Sequence, residues 1–278
     1  MPAQSMVPAQ TEDDAMERST DTALMPSEQI SETQCGTRNC LIDKLSHYLD
    51  LDDAEVSAVH AMQSMERRFE RDEVVFSATD HNQDLYIVQE GWLFNYIDTP
   101  DGRRQIVNIY HPGDMIGFPD VALPERTTSL FAVEQGSLCP FPKEGLGSIF
   151  KSCPRLAALL LTIALREETI LIDRLRIFSR MSAQARVGYL FLELNARLNV
   201  GSSTTNGHFH MPLNQQEIGD AVGLTNVSVS RAISALEGAG IIATASKSVT
   251  LLNLPALVGL CDFKDRYASM QTEWFPLS

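Results

Sequence analysis

The stretch LNQQEIGDAVGLTNVSVSRAI, residues 213–233, sets amides, hydroxyls and a single arginine at helical intervals. Asn226, Val227, Ser228, Ser230 and Arg231 fall on the outer side of its second half. Such side chains break no bonds. They donate and accept hydrogen bonds, and a guanidinium can grip a planar pair of acceptors with two parallel N–H groups. Serine and asparagine are poorer helix formers than glutamate or lysine. On an exposed helix face they make better sense as groups that hydrogen-bond base edges and phosphates. Chemistry of the other kind is missing from the sequence. No nucleophile–base–orienter set, phosphate-cradling glycine loop or His/carboxylate metal spacing occurs, and the six histidines are scattered. The chain does not read as an enzyme.

Two helices must position these groups. Asn214 caps the first, and Glu217 three residues on completes a capping box. Ile218 and Val222 form its inner face, and Gly219 lets the second helix approach closely. Gly223 ends it, where a left-handed residue is favoured. Thr225 caps the second helix, whose inner face is Val229, Ala232, Ile233 and Leu236. This is the pattern of a helix-turn-helix with a recognition helix at about 225–237. The following GIIATASKSVTLLNL reads as two strands around Ser246-Lys247-Ser248, a wing. The plain alternative is an αα-hairpin inside a core.

Upstream, residues 1–40 are polar with little apolar periodicity and read as a disordered acidic tail. Cys40 to Met65 turns helical, with Leu41, Leu45, Leu49, Val56, Val59 and Met62. Short β-branched and aromatic runs follow, EVVFSA, LYIVQEGWLFNYI, QIVNIY and LFAVEQGSLCPF, punctuated by Glu90-Gly91, Pro100-Asp101-Gly102 and His111-Pro112-Gly113-Asp114. They predict a small antiparallel roll over 41–153. Pro154 opens a helix over 154–180 on which Leu156, Ile163, Ile170 and Ile177 recur every seven residues. That seam packs on the chain's own roll or, equally, on a second copy. The opposite side carries Leu161, Leu165, Ile172 and Leu175, and Asp173 and Arg174 interrupt the pattern. A further helix is expected at 182–199, a loop before the helix-turn-helix, a DNA-binding domain over 181–256, and a C-terminal helix and tail at 257–278, helical over 255–268.

The 278 residues carry a net charge of −14. Residues 1–55 hold twelve acids against three bases, so most of the excess sits at one end. Affinity for nucleic acid comes largely from phosphate neutralisation, so the balance argues against that partner and predicts weak binding at high salt. Between Pro212 and Leu254, however, three acids face two bases, and the domain is nearly neutral. No run approaches the length of a membrane span. The N-terminus does not read as a secretory signal. Five cysteines do not read as a disulfide scaffold, so a reducing cytoplasm is the expected setting.

LYIVQEGW and HPGDMIGF in the roll, the long helix and LNQQEIGDAVGLTNVSVSRAISALEGAGII together resemble the Crp/Fnr superfamily of transcription regulators, over about residues 41–265. EGW, PDGRRQI and the recognition helix look nearest to the subgroup whose helices read LTPVHVNR. The resemblance implies an α+β chain: an antiparallel β-roll like a cyclic-nucleotide-binding domain, a long dimerisation helix and a winged helix-turn-helix. It implies a homodimer on palindromic double-stranded DNA, with RNA polymerase as a further partner. Arg231 matches the family's guanine-contacting arginine and Ser230 the serine before it. Val227 stands where many members have a base-reading glutamate, which departs from the usual half-site; it can instead touch a thymine methyl. Asn226 and Ser228 are further base contacts. Asn214, Gln215, Thr225 and Lys247 are candidate phosphate contacts, and Leu156, Ile163, Ile170 and Ile177 the candidate dimer seam.

Two sensor signatures are incomplete. Cyclic-AMP-binding relatives use Gly-Glu for the ribose and Arg-Ser or Arg-Thr for the phosphate. Here Gly117-Phe118 replaces the first, and Arg126-Thr127 can stand for the second. The favoured reading pairs Arg126 with a surface acid such as Glu125 or Asp120. Cluster-holding relatives use four cysteines, whereas only Cys35, Cys40 and Cys139 suit that role here. No cofactor or metal is expected. The rival function is a ligand-binding or protein-interaction regulator with a degenerate DNA-binding domain.

Overall fold

The computed structural model describes residues 40–63, 66–81, 84–201 and 206–276. The chain enters through two helices, α1 (Cys40–Ser46) and α2 (Asp53–Met62). Asp52 caps α2: its side chain accepts from the Glu55 amide at 2.8 Å, and Glu55 accepts from the Asp52 amide at 3.1 Å. The single helical region expected from the sequence is therefore broken between the two.

Eight strands form the roll: β1 (Arg67–Phe69), β2 (Val74–Phe76), β3 (Leu85–Glu90), β4 (Leu93–Asp98), β5 (Arg104–Tyr110), β6 (Met115–Ile116), β7 (Ser129–Ala132) and β8 (Gly136–Phe141). They make two antiparallel four-stranded sheets, ordered β1-β8-β3-β6 and β2-β7-β4-β5. Gly91 turns β3 into β4 at φ 84°. A Cβ there would lie 2.6 Å from the Gln135 carbonyl oxygen, so the turn admits only glycine without a backbone shift. Side chains including Val88, Leu93, Leu130 and Leu138 fill the space between the sheets.

Helix α3 (Lys143–Ser152) leads into α4 (Pro154–Arg180), 27 residues long. At 1.5 Å per residue that is about 40 Å of rod. Its heptad seam faces inward: Leu156, Ile170 and Ile177 are buried and Ile163 packs against the cluster formed by α1, β3, β8 and α3. The candidate dimer seam is thereby corrected. The stripe left outside is Leu161, Leu165, Ile172 and Leu175, 51–70 % exposed. Periodicity alone is the same for both stripes; only the position of the roll decides which one is covered.

The C-terminal portion comprises α5 (Ala183–Leu198), β9 (His208–His210), α6 (Gln215–Val222), α7 (Asn226–Gly238), β10 (Ile242–Ala245), β11 (Ser248–Leu251) and α8 (Leu254–Cys261). β9, expected to be loop, adds to β11 and makes the wing three-stranded. The helix expected to run to about residue 268 stops at Cys261, where Asp262 turns left-handed at φ 46°. One apolar core joins the roll to this portion. Trp92, Phe94, Ile106 and Ile109 lie in the same cluster as Leu190, Phe191, Ile218 and Val222. Each such side chain contributes about 1.5–3 kcal/mol on burial.

Candidate nucleic-acid interface

The corner between α6 and α7 is built as its residues require. Asn214 accepts from the Glu217 amide at 3.0 Å, and Glu217 accepts from the Asn214 amide at 2.8 Å. Gly223 ends α6 at φ 67°. A Cβ on Gly219 would lie 2.5 Å from the Leu224 carbonyl oxygen, so the helices can meet only at glycine. Thr225 caps α7, its hydroxyl accepting from the Ser228 amide at 3.2 Å. Val229, Ala232, Ile233 and Leu236 are buried behind α7.

The other edge of α7 is open. Asn226, Val227 and Arg231 are exposed, and Ser228 and Ser230 are half-buried. Arg231 pairs with no acidic side chain among the described residues. Val227 is 60 % exposed, a branched apolar tip among polar groups. Asn214, Gln215 and Thr225 are exposed at the two helix N-termini, where amides and the helix dipole favour an anion. The side-chain oxygens of Asn214 and Thr225 are engaged in capping. The corner thus leaves Asn226, Val227 and Arg231 of α7 open, while the Ser228 hydroxyl lies 2.9 Å from that of Thr225.

Lys247 behaves differently. It sits at the wing tip at φ 63°, and its ammonium lies 3.4 Å from Glu134 of the roll. His210 of β9 lies 3.0 Å from the same carboxylate. A second link joins the roll to α6. Arg104 donates to the Asp220 carboxylate at 2.8 Å, and the Gln105 amide donates to the Asp220 carbonyl at 2.8 Å. Sequence reasoning missed both links, because their partners stand 76 to 116 residues apart.

A buried charge network was missed as well. Asp114 accepts from Lys44 of α1 at 2.8 Å and from Arg197 of α5 at 2.7 Å. Arg174 of α4 holds Glu193 of α5 with two donors and reaches the Val107 carbonyl of β5 at 2.8 Å. Asn108 accepts from both arginines at 3.1 Å. Burial alone would raise the Asp114 carboxyl, but the charges around it, Arg197 foremost and Lys44 with it, hold it well below the usual carboxylate range. Burial pushes neighbouring His111 well below its ordinary value and keeps it neutral. The one signal in the sequence was Asp173-Arg174 breaking an apolar heptad.

The sensor candidates are closed off. Arg126 is buried, donates to Asp120 at 3.3 Å and to the Asp84 carbonyl at 3.0 Å, and lies 3.9 Å over the Phe76 ring. Thr127 donates to Asp120 through amide and hydroxyl. The acid is therefore Asp120, and it is buried rather than on the surface. Cys40 opens α1 and donates to the Gln89 carbonyl at 3.8 Å. Cys139 is fully buried in β8 and disulfide-bonded, against the expectation of reduced thiols. Cys35 lies outside the described residues, as do residues 1–39 of the acidic tail expected over 1–40, whose last residue, Cys40, is instead helical. Among the described residues no group of three or more His, Cys, Asp or Glu is placed to hold a metal ion. No helix there is long and apolar enough to cross a membrane.

Comparison with known proteins places this geometry. Residues 66–153 match the cyclic nucleotide-binding domain family, and residues 185–260 match the Crp-like helix-turn-helix domain family. The nitrogen fixation regulation protein FixK of Bradyrhizobium diazoefficiens is 34 % identical over 192 residues, 68 % of this chain and 78 % of that one. The transcriptional activator protein FnrA of Stutzerimonas stutzeri is 24 % identical over 231 residues, 83 % of this chain and 93 % of that one. Among solved structures, FixK2 from Bradyrhizobium japonicum superposes with a TM-score of 0.63 at 26 % identity, over 70 % of this chain and 96 % of that one.

Proposed function

The chain belongs to the Crp/Fnr family and is a DNA-binding transcription regulator, and from that premise we propose that it acts as a homodimer on a two-fold symmetric operator. The recognition edge of α7 carries the reading. Arg231 holds a guanine through two donors, the commonest specific contact to a base pair. Asn226, Ser228 and Ser230 hydrogen-bond neighbouring base edges, and Val227 packs on a thymine methyl. Gln215 and the amides at the N-termini of α6 and α7 meet phosphates, with Lys247 of the wing once it leaves Glu134. The half-site therefore differs from that of relatives with glutamate at the Val227 position. RNA polymerase is the downstream partner.

Dimerisation rests on the outer stripe of α4. Leu161, Leu165, Ile172 and Leu175 are spaced four, seven and three residues apart, the repeat of a coiled-coil seam. A run of such side chains left in water marks an interaction surface. Pairing two copies there sets both α7 helices toward one face of the duplex, about one helical turn apart.

Sedimentation with and without a palindromic duplex tests the reading. The expected result is two chains per duplex. Leu165→Glu should yield monomers whose DNA affinity falls by about 10²–10⁴, since the linked second half-site is lost. A Leu165→Glu chain that stays dimeric and binds normally would refute the seam.

A further inference from the structure

Helix α8 is followed by a segment, Asp262–Phe275, that has neither helix nor strand and lies beyond both matched family domains. Its contacts step backward along α4 toward the roll. The Asp262 carboxylate accepts from Arg176 at 2.7 Å, and Arg266 donates to Asp173 at 2.9 Å. Tyr267 is buried with Ile170 of α4, Ala196 of α5 and Val200 just beyond it. Its carbonyl accepts from the Tyr48 hydroxyl at 2.8 Å, and the Arg166 guanidinium lies 4.6 Å from the centre of its ring. Phe275 is buried in the cluster that holds Leu41 of α1, Phe141 of β8 and Leu156 of α4. From Arg176 back to Leu156 is about 30 Å of helix.

The start of the segment moves with the DNA-binding portion. α8 packs so closely on α5 that a Cβ on Gly188 would lie 2.7 Å from a Leu257 methyl and 3.0 Å from the Cys261 sulfur. The Cys261 thiol donates to the Ala185 carbonyl at 3.3 Å. The chain passes from α4 into α5 through Met181 and Ser182, neither of them helical. Backbone rotation at such a joint would swing α5 and the helices packed on it as one body. The segment spans that joint, leaving from α8 and anchoring on α4, α1 and β8. Asp173 and Arg176 are sequence neighbours of Ile172 and Leu175, so it grips the same turns of α4 that carry the outer stripe. A segment without helix or strand belongs to the less stable end of a fold, so its hold depends on its two buried anchors, Tyr267 and Phe275.

We propose that Asp262–Phe275 is a positioning strap for the recognition helix: by tying α8 to α4 across the Met181–Ser182 joint, it fixes the distance and angle between the two α7 helices of a dimer and so sets the half-site spacing that the protein accepts. The strap touches no base. Tyr267 and Phe275 act through α8 and α5, which carry α7. The proposal rests on the reading of the chain as a homodimer on a two-fold symmetric operator.

The test is the affinity of the full chain for a set of duplexes: the best operator, the same operator with base pairs inserted or removed between its half-sites, and a single half-site. Each base pair turns one half-site against the other by about 34° and shifts it by about 3.4 Å. The wild-type chain should lose about tenfold or more when the spacing changes by about two base pairs, because the second half-site no longer meets its helix. Tyr267→Ala and Phe275→Ala should each lose about tenfold on the best operator yet differ by less than about threefold between spacings, as a freely swinging second helix would. Their affinity for the single half-site should stay within about twofold of wild type. Tyr267→Phe keeps the ring under Arg166 and should restore the wild-type discrimination. Circular dichroism checks folding. Phe275→Ala, which leaves the packing around Tyr267 in place, carries the test should Tyr267→Ala fail to fold. Unchanged spacing discrimination in the folded alanine variants would overturn the proposal, as would an equal loss on the single half-site, since the segment would then only support the helix-turn-helix. A wild-type chain indifferent to spacing would overturn the homodimer reading and the strap together, whereas the first two outcomes leave the dimer standing.

Discussion

Glu134 gives the sharpest handle on how the wing reaches DNA. Its carboxylate lies 3.4 Å from Lys247 and 3.0 Å from His210, and the lysine is half-exposed. Two unit charges at that separation attract by about 1.2 kcal/mol in water and about 5 kcal/mol at an effective dielectric of 20. Screening and the entropy of holding a long side chain reduce partly exposed pairs to about 0.5–1 kcal/mol. Lys247 must give up that pair to meet a phosphate. Glu134→Gln removes the competition, so affinity for operator DNA should rise about two- to fivefold at low salt. The gain should fade as the Debye length shrinks toward about 3 Å at 1 M salt. Fluorescence anisotropy with a labelled duplex reads it directly. Removing one acid near DNA raises affinity for any protein, so the comparison that matters is a double-mutant cycle with Lys247→Gln. The two substitutions should couple by about the same 0.5–1 kcal/mol. A Glu134→Gln gain of equal size in the Lys247→Gln background would refute the reasoning, since it would not pass through the lysine.

Three further outcomes follow from the packing. Asp114→Asn should destabilise the fold by about 3–5 kcal/mol in urea titration, because it leaves Lys44 and Arg197 buried with a charge uncompensated; a loss under 1 kcal/mol would mean the network is wet. His111 is held neutral, so the unfolded chain takes up a proton that the folded chain refuses. Stability should therefore fall as pH drops below about 6.5, with a slope from this site approaching 1.4 kcal/mol per pH unit, and His111→Gln should flatten that part of the curve. Gly219→Ala should cost about 1–3 kcal/mol by pushing α6 off the Leu224 carbonyl, while an exposed change such as Gln216→Ala in the same helix should be near neutral; equal midpoints for the two would contradict the close approach.

What the sequence revealed follows the range of the forces involved. The capping box of Asn214 and Glu217, the left-handed Gly223 and the Thr225 cap are interactions within a few residues, and all were legible. The strands of the roll were legible through alternation and Gly/Pro punctuation, but β9 was not, since three residues with one apolar side chain carry no pattern. The heptad on α4 showed two stripes without showing which faces the roll, because burial against one's own strands and against a second copy select the same residues. The Asp114 network and the Arg104–Asp220 link were invisible for a related reason. Their members are ordinary charged residues until the fold brings them together across 19 to 116 positions. Arg126 follows the favoured reading: a motif position suited to a phosphate is paired with Asp120, one of the two acids named, and only the burial of that pair was not legible.

Selection of binding sites from random duplex DNA, run in parallel on the wild-type chain and Arg231→Ala at moderate salt, tests the central claim most directly. The account predicts a two-fold symmetric wild-type site with half-sites about one helical turn apart. It predicts that Arg231→Ala relaxes the preference at one G·C pair in each half-site, at a cost of about 1–3 kcal/mol. An unchanged consensus with Arg231→Ala, or a wild-type site without two-fold symmetry, would contradict it.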